Sequence, residues 1–362
     1  MRPVLVARLD SLGDVLLAGP AVRAVAAGGT SGTAAGGDRE VWLLCGPQGA
    51  PAAERLPGVA RVLVWSCPWI SDPAPPLTDS SVAELHALVA QSGAREAVIL
   101  TSFHQSPLPL ALLLRVAGFT RITGASVDFA GSLLDVRLRP GEDFDEDQPE
   151  TERALTIARA AGYELPAGDD GRLHVVPGPV VAHLTGKDPY VVVHPGATVP
   201  ARAWPADTAA DTVRMLADQG VRVLVTGSAR ERDLTARVAG SAGTDLGGRT
   251  DVATLSSVLR GAEVTVAANT GPAHLSAAVG TPVVSLFSPV VPAVRWAPYG
   301  VPVELLGDQD AACRNTRARD CPVPGHPCLS TIPAQEVADA CLRLMHASGK
   351  DGRMHSTGKD DR

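Results

Sequence analysis

The chain has 362 residues, of which 45% are hydrophobic and 20% are charged, and its formal net charge is −7. This length is too great for one ordinary core and predicts two domains. The acidic balance argues against a general nucleic-acid binder, because such a protein needs a basic surface. We find neither a signal peptide nor an apolar run of about 18 residues, so we expect a cytoplasmic protein with at most peripheral membrane contact.

Short strand-like runs alternate with helical stretches, which is the pattern of βαβ units and parallel sheets. In the first half the predicted strands are Val4–Ala7, Val41–Cys45, Val62–Val64, Ala97–Leu100 and Arg121–Gly124. The predicted helices of that half cover about Asp14–Ala27, Ser80–Gln91, Leu108–Ala117 and Thr151–Ala161. We therefore predict an α/β fold.

The same alternation restarts after Gly168–Pro179, a stretch with Asp, Gly and Pro that we interpret as a linker. The predicted strands of the second half are Tyr190–His194, Arg222–Thr226, Val264–Ala267 and Val283–Phe287. Its predicted helices are Asp207–Gln219, Ala229–Ala239, Asp251–Leu259 and Pro272–Val279. We predict domains over residues 1–168 and 169–332, a closing helix over 333–347 that packs back toward the first domain, and a disordered tail over 348–362.

The segment RLDSLGD, residues 8–14, follows the first strand directly. Asp14 lies where a helix begins, so it could be an N-cap, a position that Asp favours. The alternative is a general base at the carboxyl end of the strand, with Asp10 as the nearest competitor for that role. Neither a GxGxxG fingerprint nor a Walker lysine is present, so dinucleotide-binding and ATPase functions are unsupported.

Two segments of the second half have the features of anion sites. HPGAT, residues 194–198, is a glycine-containing turn whose backbone amides could bind an anion. RAWP follows it, and its Arg202 could bind a phosphate. The alternative is that Arg202 is only a surface residue. NTGPAH, residues 269–274, joins a buried strand to a helix. Free amides of Thr270 and Gly271 at its start would point at a phosphate, with His274 close by.

A late cluster of Cys313, Cys321, His326 and Cys328 has the residue types of a zinc site. Its spacing lacks the short CxxC knuckle, so a reduced structural loop is the favoured interpretation over a metal site.

Together these segments resemble glycosyltransferase family 9, which contains the ADP-heptose:lipopolysaccharide heptosyltransferases. The resemblance spans roughly residues 1–346. It is carried by RLDSLGD, by HPGA and RAWP, by the run Asn269–Phe287, by Pro292–Gly300 and by the CP…HPC…IP ending. The TGPAHL run within it is the most specific element.

The resemblance implies a GT-B fold, in which two Rossmann-like domains with doubly wound parallel sheets face a central cleft. It implies that the first domain binds the acceptor and the second the nucleotide-sugar. It also implies inverting sugar transfer without a metal ion or any cofactor besides the nucleotide-sugar, which we expect to be an ADP-sugar.

Site residues carry over by position in the resembling segments. Asp14 corresponds to the family's catalytic base. The other correspondences lie in the donor site, where Arg202 replaces a phosphate-binding lysine, Glu231 corresponds to an acid that contacts the ribose, and further contacts fall on Thr198, Asn269, Thr270, Gly271 and His274.

One departure concerns Asn269, because heptosyltransferases carry Asp there and that acid contacts the donor sugar. ADP-heptose is the first expectation, but the sugar stays open, as does the acceptor, which could be a glycan, a lipid-linked molecule or a small molecule. Two alternatives remain: an epimerase of the same architecture, and a non-catalytic nucleotide-sugar-binding protein. Incubation of donor alone would identify the epimerase by an isomerised sugar.

Overall fold

The computed structural model describes residues 2–29 and 39–347. The chain divides into two compact units, Met1–Val176 and Pro177–Arg362. The division falls within the stretch that we interpreted as a linker. The predicted disordered tail over 348–362 lies outside the described residues.

The first unit alternates strands and helices from its start. Its strands are β1 (Val4–Arg8), β2 (Val41–Cys45), β3 (Val59–Val64), β4 (Glu96–Ile99), β5 (Arg121–Ala125) and β6 (Val136–Leu138). Its helices are α1 (Leu12–Leu17), α2 (Gly19–Ala26), α3 (Ala50–Ala53), α4 (Asp79–Ala90), α5 (Leu108–Val116) and α6 (Glu150–Ala160).

These strands form one parallel sheet in the order β3-β2-β1-β4-β5-β6. Strands β1 and β2 are buried along their whole length, because helices cover both faces of a doubly wound sheet. The chain runs outward from β1 in one direction and from β4 in the other. The carboxyl ends of these two adjacent strands therefore mark the point where the winding reverses.

The predicted long helix over residues 14–27 is two helices in the structure, α1 and α2, which meet at Ala18. Pro20 explains the break. It has no amide hydrogen to donate, and its ring crowds the carbonyl of the preceding turn.

The second unit repeats the alternation. Its strands are β7 (Val191–His194), β8 (Val223–Val225), β9 (Thr244–Asp245), β10 (Thr265–Ala268), β11 (Val283–Leu286) and β12 (Val303–Leu306). Its helices are α7 (Ala182–Thr185), α8 (Ala206–Asp218), α9 (Arg232–Ala239), α10 (Val252–Gly261), α11 (Gly271–Ala278), α12 (Ala293–Trp296), α13 (Pro327–Ser330) and α14 (Ala334–Ala347), with 3₁₀ turns at Pro200–Arg202 and Ala229–Glu231.

The second sheet is also parallel, in the order β12-β11-β10-β7-β8-β9. Counted from the first strand of the unit, this is the same order as in the first sheet, so the winding reverses between β7 and β10. The structure thus has the two doubly wound sheets that we predicted. Three short edge strands, β6, β9 and β12, were missing from the prediction.

The closing helix α14 packs on α8 and on strands β10 to β12 of its own unit. Val337, Cys341 and Leu344 recur at helical spacing and are buried there. These contacts lie within the second unit, and packing of this helix toward the first domain stays a prediction. None of the described helices is both long enough and apolar enough to cross a membrane.

Candidate functional site

Both sheets carry their chemically distinctive residues at the same position in the topology. In the first unit these residues follow β1 and β4, and in the second they follow β7 and β10. Ligands of doubly wound sheets bind outside the carboxyl ends of the strands where the winding reverses. Each unit therefore has a candidate site of its own at this edge.

Arg8, the last residue of β1, is the centre of a buried polar cluster. Its guanidinium lies 2.9 Å from Asp10, 3.1 Å from Asp14 and 3.3 Å from Glu150. It also donates a hydrogen bond of 2.7 Å to the hydroxyl of Ser102, which follows β4. The Arg8 side chain is only 2% exposed. One buried cation thus holds two carboxylates from its own segment and one from a distant part of the chain.

Asp14 lies in the first turn of α1, and Ser11 occupies the N-cap position. The interpretation of Asp14 as an N-cap is therefore wrong. Its Oδ1 accepts a hydrogen bond from Arg8, and its Oδ2 accepts one of 2.7 Å from the Ser11 hydroxyl. Its side chain is 20% exposed, against 8% for Asp10 and 1% for Glu150. Asp14 is the most accessible of the three carboxylates.

Burial and charge set the proton affinities in this cluster. Burial raises the pKa of Asp10 to about 6, opposed by the attraction of Arg8 and reinforced by the charge of Asp14. Burial also raises the pKa of Glu150. Burial alone would lower the pKa of Arg8, but the three carboxylates outweigh it and raise that pKa, so the guanidinium stays charged. Gln105 donates a hydrogen bond to Asp10.

Glu231 ends the 3₁₀ turn Ala229–Glu231 in the second unit, and its carboxylate lies close to Gly196. Its Oε2 accepts a hydrogen bond of 2.7 Å from the Ser228 amide. Burial would raise the pKa of Glu231, but hydrogen bonds from Ser228 and the charge of His194 outweigh it and lower that pKa. A Cβ on Gly196 would lie 2.5 Å from the Glu231 Cδ and closer still to its Oε1. The glycine therefore makes room for an ionised carboxylate beside the turn after β7.

His194, the last residue of β7, is buried next to that carboxylate. Its Nδ1 lies 3.0 Å from the Thr226 hydroxyl. Burial lowers the pKa of His194, although the charge of Glu231 opposes the shift. The contact with Thr226 holds the imidazole at the end of β7.

Arg202 supplies a cation beside the start of α11. It ends the 3₁₀ turn after β7, and its guanidinium donates a hydrogen bond of 3.3 Å to the main-chain carbonyl of Asn269. Thr198 lies on the same connection and is exposed, while His274 is buried in the first part of α11. A guanidinium beside a helix N-terminus is a typical anion-binding arrangement, because both favour negative charge.

The residues that join β10 to α11 are more engaged than we predicted. The Asn269 side chain donates a hydrogen bond of 3.3 Å to the Ser288 carbonyl and accepts one of 3.4 Å from the Ser288 amide. The Thr270 amide donates to the Ala268 carbonyl at 2.8 Å, so the prediction that it is free for a phosphate is wrong. Gly271 is the first residue of α11, where an amide has no acceptor within the helix. Its amide remains suited to an anion.

The loop that we considered as a zinc site supports the turn that carries Arg202. His326 donates a hydrogen bond of 3.1 Å to the Ala201 carbonyl, and the Ala201 amide donates one of 2.8 Å to the Arg319 carbonyl. The His326 ring is thus committed to the backbone next to Arg202. This contact gives the late loop a positioning role.

Two cysteines of that loop, Cys313 and Cys328, have raised pKa values. Cys313, Cys321 and Cys328 lie close enough to affect one another, and burial raises the pKa of Cys328 to about 11 and that of Cys313 above its usual value. Within residues 2–29 and 39–347, no group of three or more His, Cys, Asp or Glu side chains is arranged to hold a metal ion.

Three members of the first cluster were not predicted from the sequence: Arg8, Ser102 and Glu150. A signal existed for Arg8, because a charge at the end of an otherwise apolar buried strand needs a partner. Nothing in the sequence pointed to Glu150, since its partner is 142 residues away.

Two sequence comparisons point to one family. A sequence model described as glycosyltransferase family 9 (heptosyltransferase) matches residues 104–326. Lipopolysaccharide heptosyltransferase 1 of Pseudomonas aeruginosa is 32% identical over 223 residues, which are 60% of this chain and 61% of that protein. The chain thus matches less than two thirds of the length of this curated relative.

Solved structures share the fold over nearly the whole chain. The family 9 glycosyltransferase of Veillonella parvula has a TM-score of 0.73 at 14% identity, covering 96% of this chain and 98% of that one. The ADP-heptose lipopolysaccharide heptosyltransferase II of E. coli has a TM-score of 0.69 at 18% identity, covering 96% and 99%. E. coli heptosyltransferase WaaC with ADP has a TM-score of 0.66 at 20% identity, covering 95% and 100%. The two sheets therefore form a GT-B fold.

Proposed function

Because the chain belongs to glycosyltransferase family 9, we propose that it transfers a sugar from a nucleotide-diphosphate donor to an acceptor hydroxyl, with inversion and without a metal ion. The observation that carries this proposal is the chemistry at the two winding reversals. The first unit has a held but accessible carboxylate, Asp14, and the second has an arginine, Arg202, beside a helix N-terminus.

Asp14 acts as the general base in this proposal. The acceptor hydroxyl attacks the anomeric carbon of the donor, its proton passes to Asp14, and the bond to the nucleotide diphosphate breaks. Access favours Asp14 over Asp10, whose side chain is only 8% exposed and whose oxygens contact Arg8 and Gln105. Arg8 and Ser11 fix the orientation of the Asp14 carboxylate, which is what efficient proton transfer requires.

The second unit stabilises the leaving group. The departing diphosphate gains negative charge as the glycosidic bond breaks. Arg202 and the Gly271 amide at the start of α11 would neutralise that charge, which is the role that a divalent cation has in other enzymes. In this proposal Glu231, which is held beside Gly196 by the Ser228 amide, accepts hydrogen bonds from ribose hydroxyls.

The donor in this proposal is an ADP-sugar, and a heptose is its first candidate. Two structural relatives are described with ADP or ADP-heptose in their names. The sugar depends on Asn269, whose amide already exchanges two hydrogen bonds with the backbone of Ser288. One amide hydrogen and part of the oxygen's capacity remain for a sugar hydroxyl. For the acceptor we propose a hydroxyl of a glycan, with lipid-linked and soluble forms both to be tested.

The test begins with binding and ends with turnover. Calorimetric titration should give at least tenfold tighter binding of ADP than of UDP, which corresponds to about 1.4 kcal/mol. A thermal-shift series with ADP-, UDP-, GDP- and dTDP-sugars then identifies the donor, because a bound ligand raises the melting temperature. Turnover with that donor and an acceptor should persist in EDTA.

Three outcomes contradict parts of the proposal separately. Equal affinity for ADP and UDP rules out the ADP-sugar assignment. Loss of turnover in EDTA that Mg²⁺ or Mn²⁺ restores rules out the metal-free mechanism. Isomerised sugar from donor alone, with no transfer to any acceptor, indicates an epimerase instead.

A further inference from the structure

We propose that Glu150 is a positioning residue that acts through Arg8 to fix the orientation and the basicity of Asp14. Glu150 begins α6, whereas Arg8 ends β1 and Asp14 lies in α1. The catalytic consequence of this inference rests on the proposed function, but the contact and its effect on Asp14 do not.

The geometry ties Glu150 and Asp14 to one nitrogen. The same terminal nitrogen of Arg8 lies 3.1 Å from Asp14 Oδ1 and 3.3 Å from Glu150 Oε2. The same nitrogen also donates to the Ser102 hydroxyl at 2.7 Å, so three oxygen atoms surround it. A guanidinium is a rigid planar fork. Glu150 contacts both terminal nitrogens of Arg8, so it fixes the position of the nitrogen that also contacts Asp14.

A simple helix-dipole role does not explain this contact. An acidic residue in the first turn of a helix is favourable at the surface. Glu150, however, is 1% exposed, and burying a carboxylate is costly unless a cation compensates it. Its compensation comes from Arg8, 142 positions earlier, and from Arg153 on the same helix. The chain bears that cost where the start of α6 meets the carboxyl end of β1.

The charges around Asp14 give the contact a measurable effect. Asp14 is faced by Arg8 from β1, by Asp10 from the loop before α1 and by Glu150 from α6, while Arg153 faces Glu150. Three carboxylates share the Arg8 guanidinium, so each of them weakens the attraction of Arg8 for the other two. Removal of the Glu150 charge leaves Arg8 to the two aspartates. The ionised form of Asp14 is then favoured, and its pKa falls.

The test is Glu150→Gln, which keeps the size of the side chain and one oxygen for Arg8. Carboxyl ¹³C titration of the full chain by NMR, with Asp14 assigned from the spectrum of Asp14→Asn, should show the Asp14 midpoint lowered by about one pH unit. In turnover assays the acid limb of kcat/KM should move down by the same amount. The plateau of kcat should fall about 3- to 10-fold, because a less basic carboxylate is a weaker general base.

Glu146→Gln is the matched control. Glu146 pairs with Arg153 at 3.5 Å near the same helix start and carries the same charge. We expect the Asp14 titration midpoint and the pH profile of kcat/KM in Glu146→Gln to match those of the wild type. If Glu150→Gln fails to fold, Glu150→Asp makes the test. The shorter side chain moves its carboxylate away from Arg8 and Asp14, so the Asp14 midpoint should again fall, and an unchanged midpoint overturns the positioning role.

The outcomes separate the inference from the proposed function. An unchanged Asp14 midpoint in Glu150→Gln, or equal shifts in Glu150→Gln and Glu146→Gln, overturns the positioning role. A wild type without transfer activity overturns the proposed function. The NMR titration still decides the inference in that case, because it uses the protein without ligand.

Discussion

Replacement of Asp14 by Asn separates catalysis from stability. The amide keeps an oxygen for Arg8, and its nitrogen still meets the Ser11 hydroxyl, so both contacts of Asp14 survive in neutral form. The loss of a charge-assisted bond costs about 1 kcal/mol, and relief of repulsion from Asp10 and Glu150 offsets part of it. The melting temperature should therefore stay within about 4 °C of the wild type.

Turnover should fall far more than stability. Asn cannot accept the acceptor's proton, and loss of a general base costs about 10²- to 10⁴-fold in rate, or roughly 3–5 kcal/mol of barrier. The assay is kcat with the identified donor and acceptor, together with a melting curve and an ADP titration for each variant. Affinity for ADP should not change, because ADP contacts are assigned to the second unit.

Asp10→Asn is the control for the Asp14 assignment. It removes a neighbouring charge from the same Arg8 cluster, and we expect turnover within about tenfold of the wild type. If Asp14→Asn keeps turnover within a few-fold while Asp10→Asn loses it, the assignment of Asp14 is refuted and Asp10 is the base.

Four further predictions test the remaining parts of the site. Arg202→Ala should weaken ADP binding by roughly 1.5–3 kcal/mol, and Arg202→Lys should recover much of it; an alanine variant that binds normally would make Arg202 a surface residue. Gly196→Ala should displace the Glu231 carboxylate and lower ADP affinity, with no further loss when it is combined with Glu231→Ala; additive losses would disprove that link. Asn269→Asp should lose the bond to its neighbouring backbone carbonyl and reduce stability by about 1–3 kcal/mol in chemical denaturation, and an equally stable variant would count against that role. Because burial raises the pKa of Asp10 to about 6, the folded chain binds a proton that the unfolded chain has released by about pH 4. Wild-type stability should therefore drop by up to roughly 3 kcal/mol relative to Asp10→Asn as pH rises from about 4 to about 6, and parallel pH curves would exclude that shift.

The sheet architecture was predictable because its central strands are continuous apolar runs. Strand β2, VWLLC, is buried throughout and was predicted with its observed bounds. The edge strands β6 and β9 were missed for the opposite reason. Each has only two or three residues and is partly exposed, so neither has the apolar run that identifies a strand.

The site was predictable only where its chemistry is local in sequence. The connection after β10 revealed its anion-binding features because glycine, proline and a helix start adjoin there. The hydrogen bonds that engage Asn269 and Thr270 within the protein were not predictable. The engagement of Asn269 with Ser288 depends on how β10 and β11 pair, and the contact of Arg8 with Glu150 depends on how α6 packs. Such partners follow from tertiary structure, not from spacing.

The two units share one strand order but present opposite charges at the same position in it. The first unit presents a carboxylate and the second a guanidinium. Each sheet has the same strand order, so the first and fourth connections of each unit meet at one edge. In the first unit those connections bring aspartates and a serine around a buried arginine, which leaves a carboxylate accessible for proton transfer. In the second they bring an arginine to a helix start, which favours a phosphate. The topology thus supplies the place and the connections supply the charge. The Asp14 carboxylate and the Arg202 guanidinium are therefore each held by contacts within a single unit.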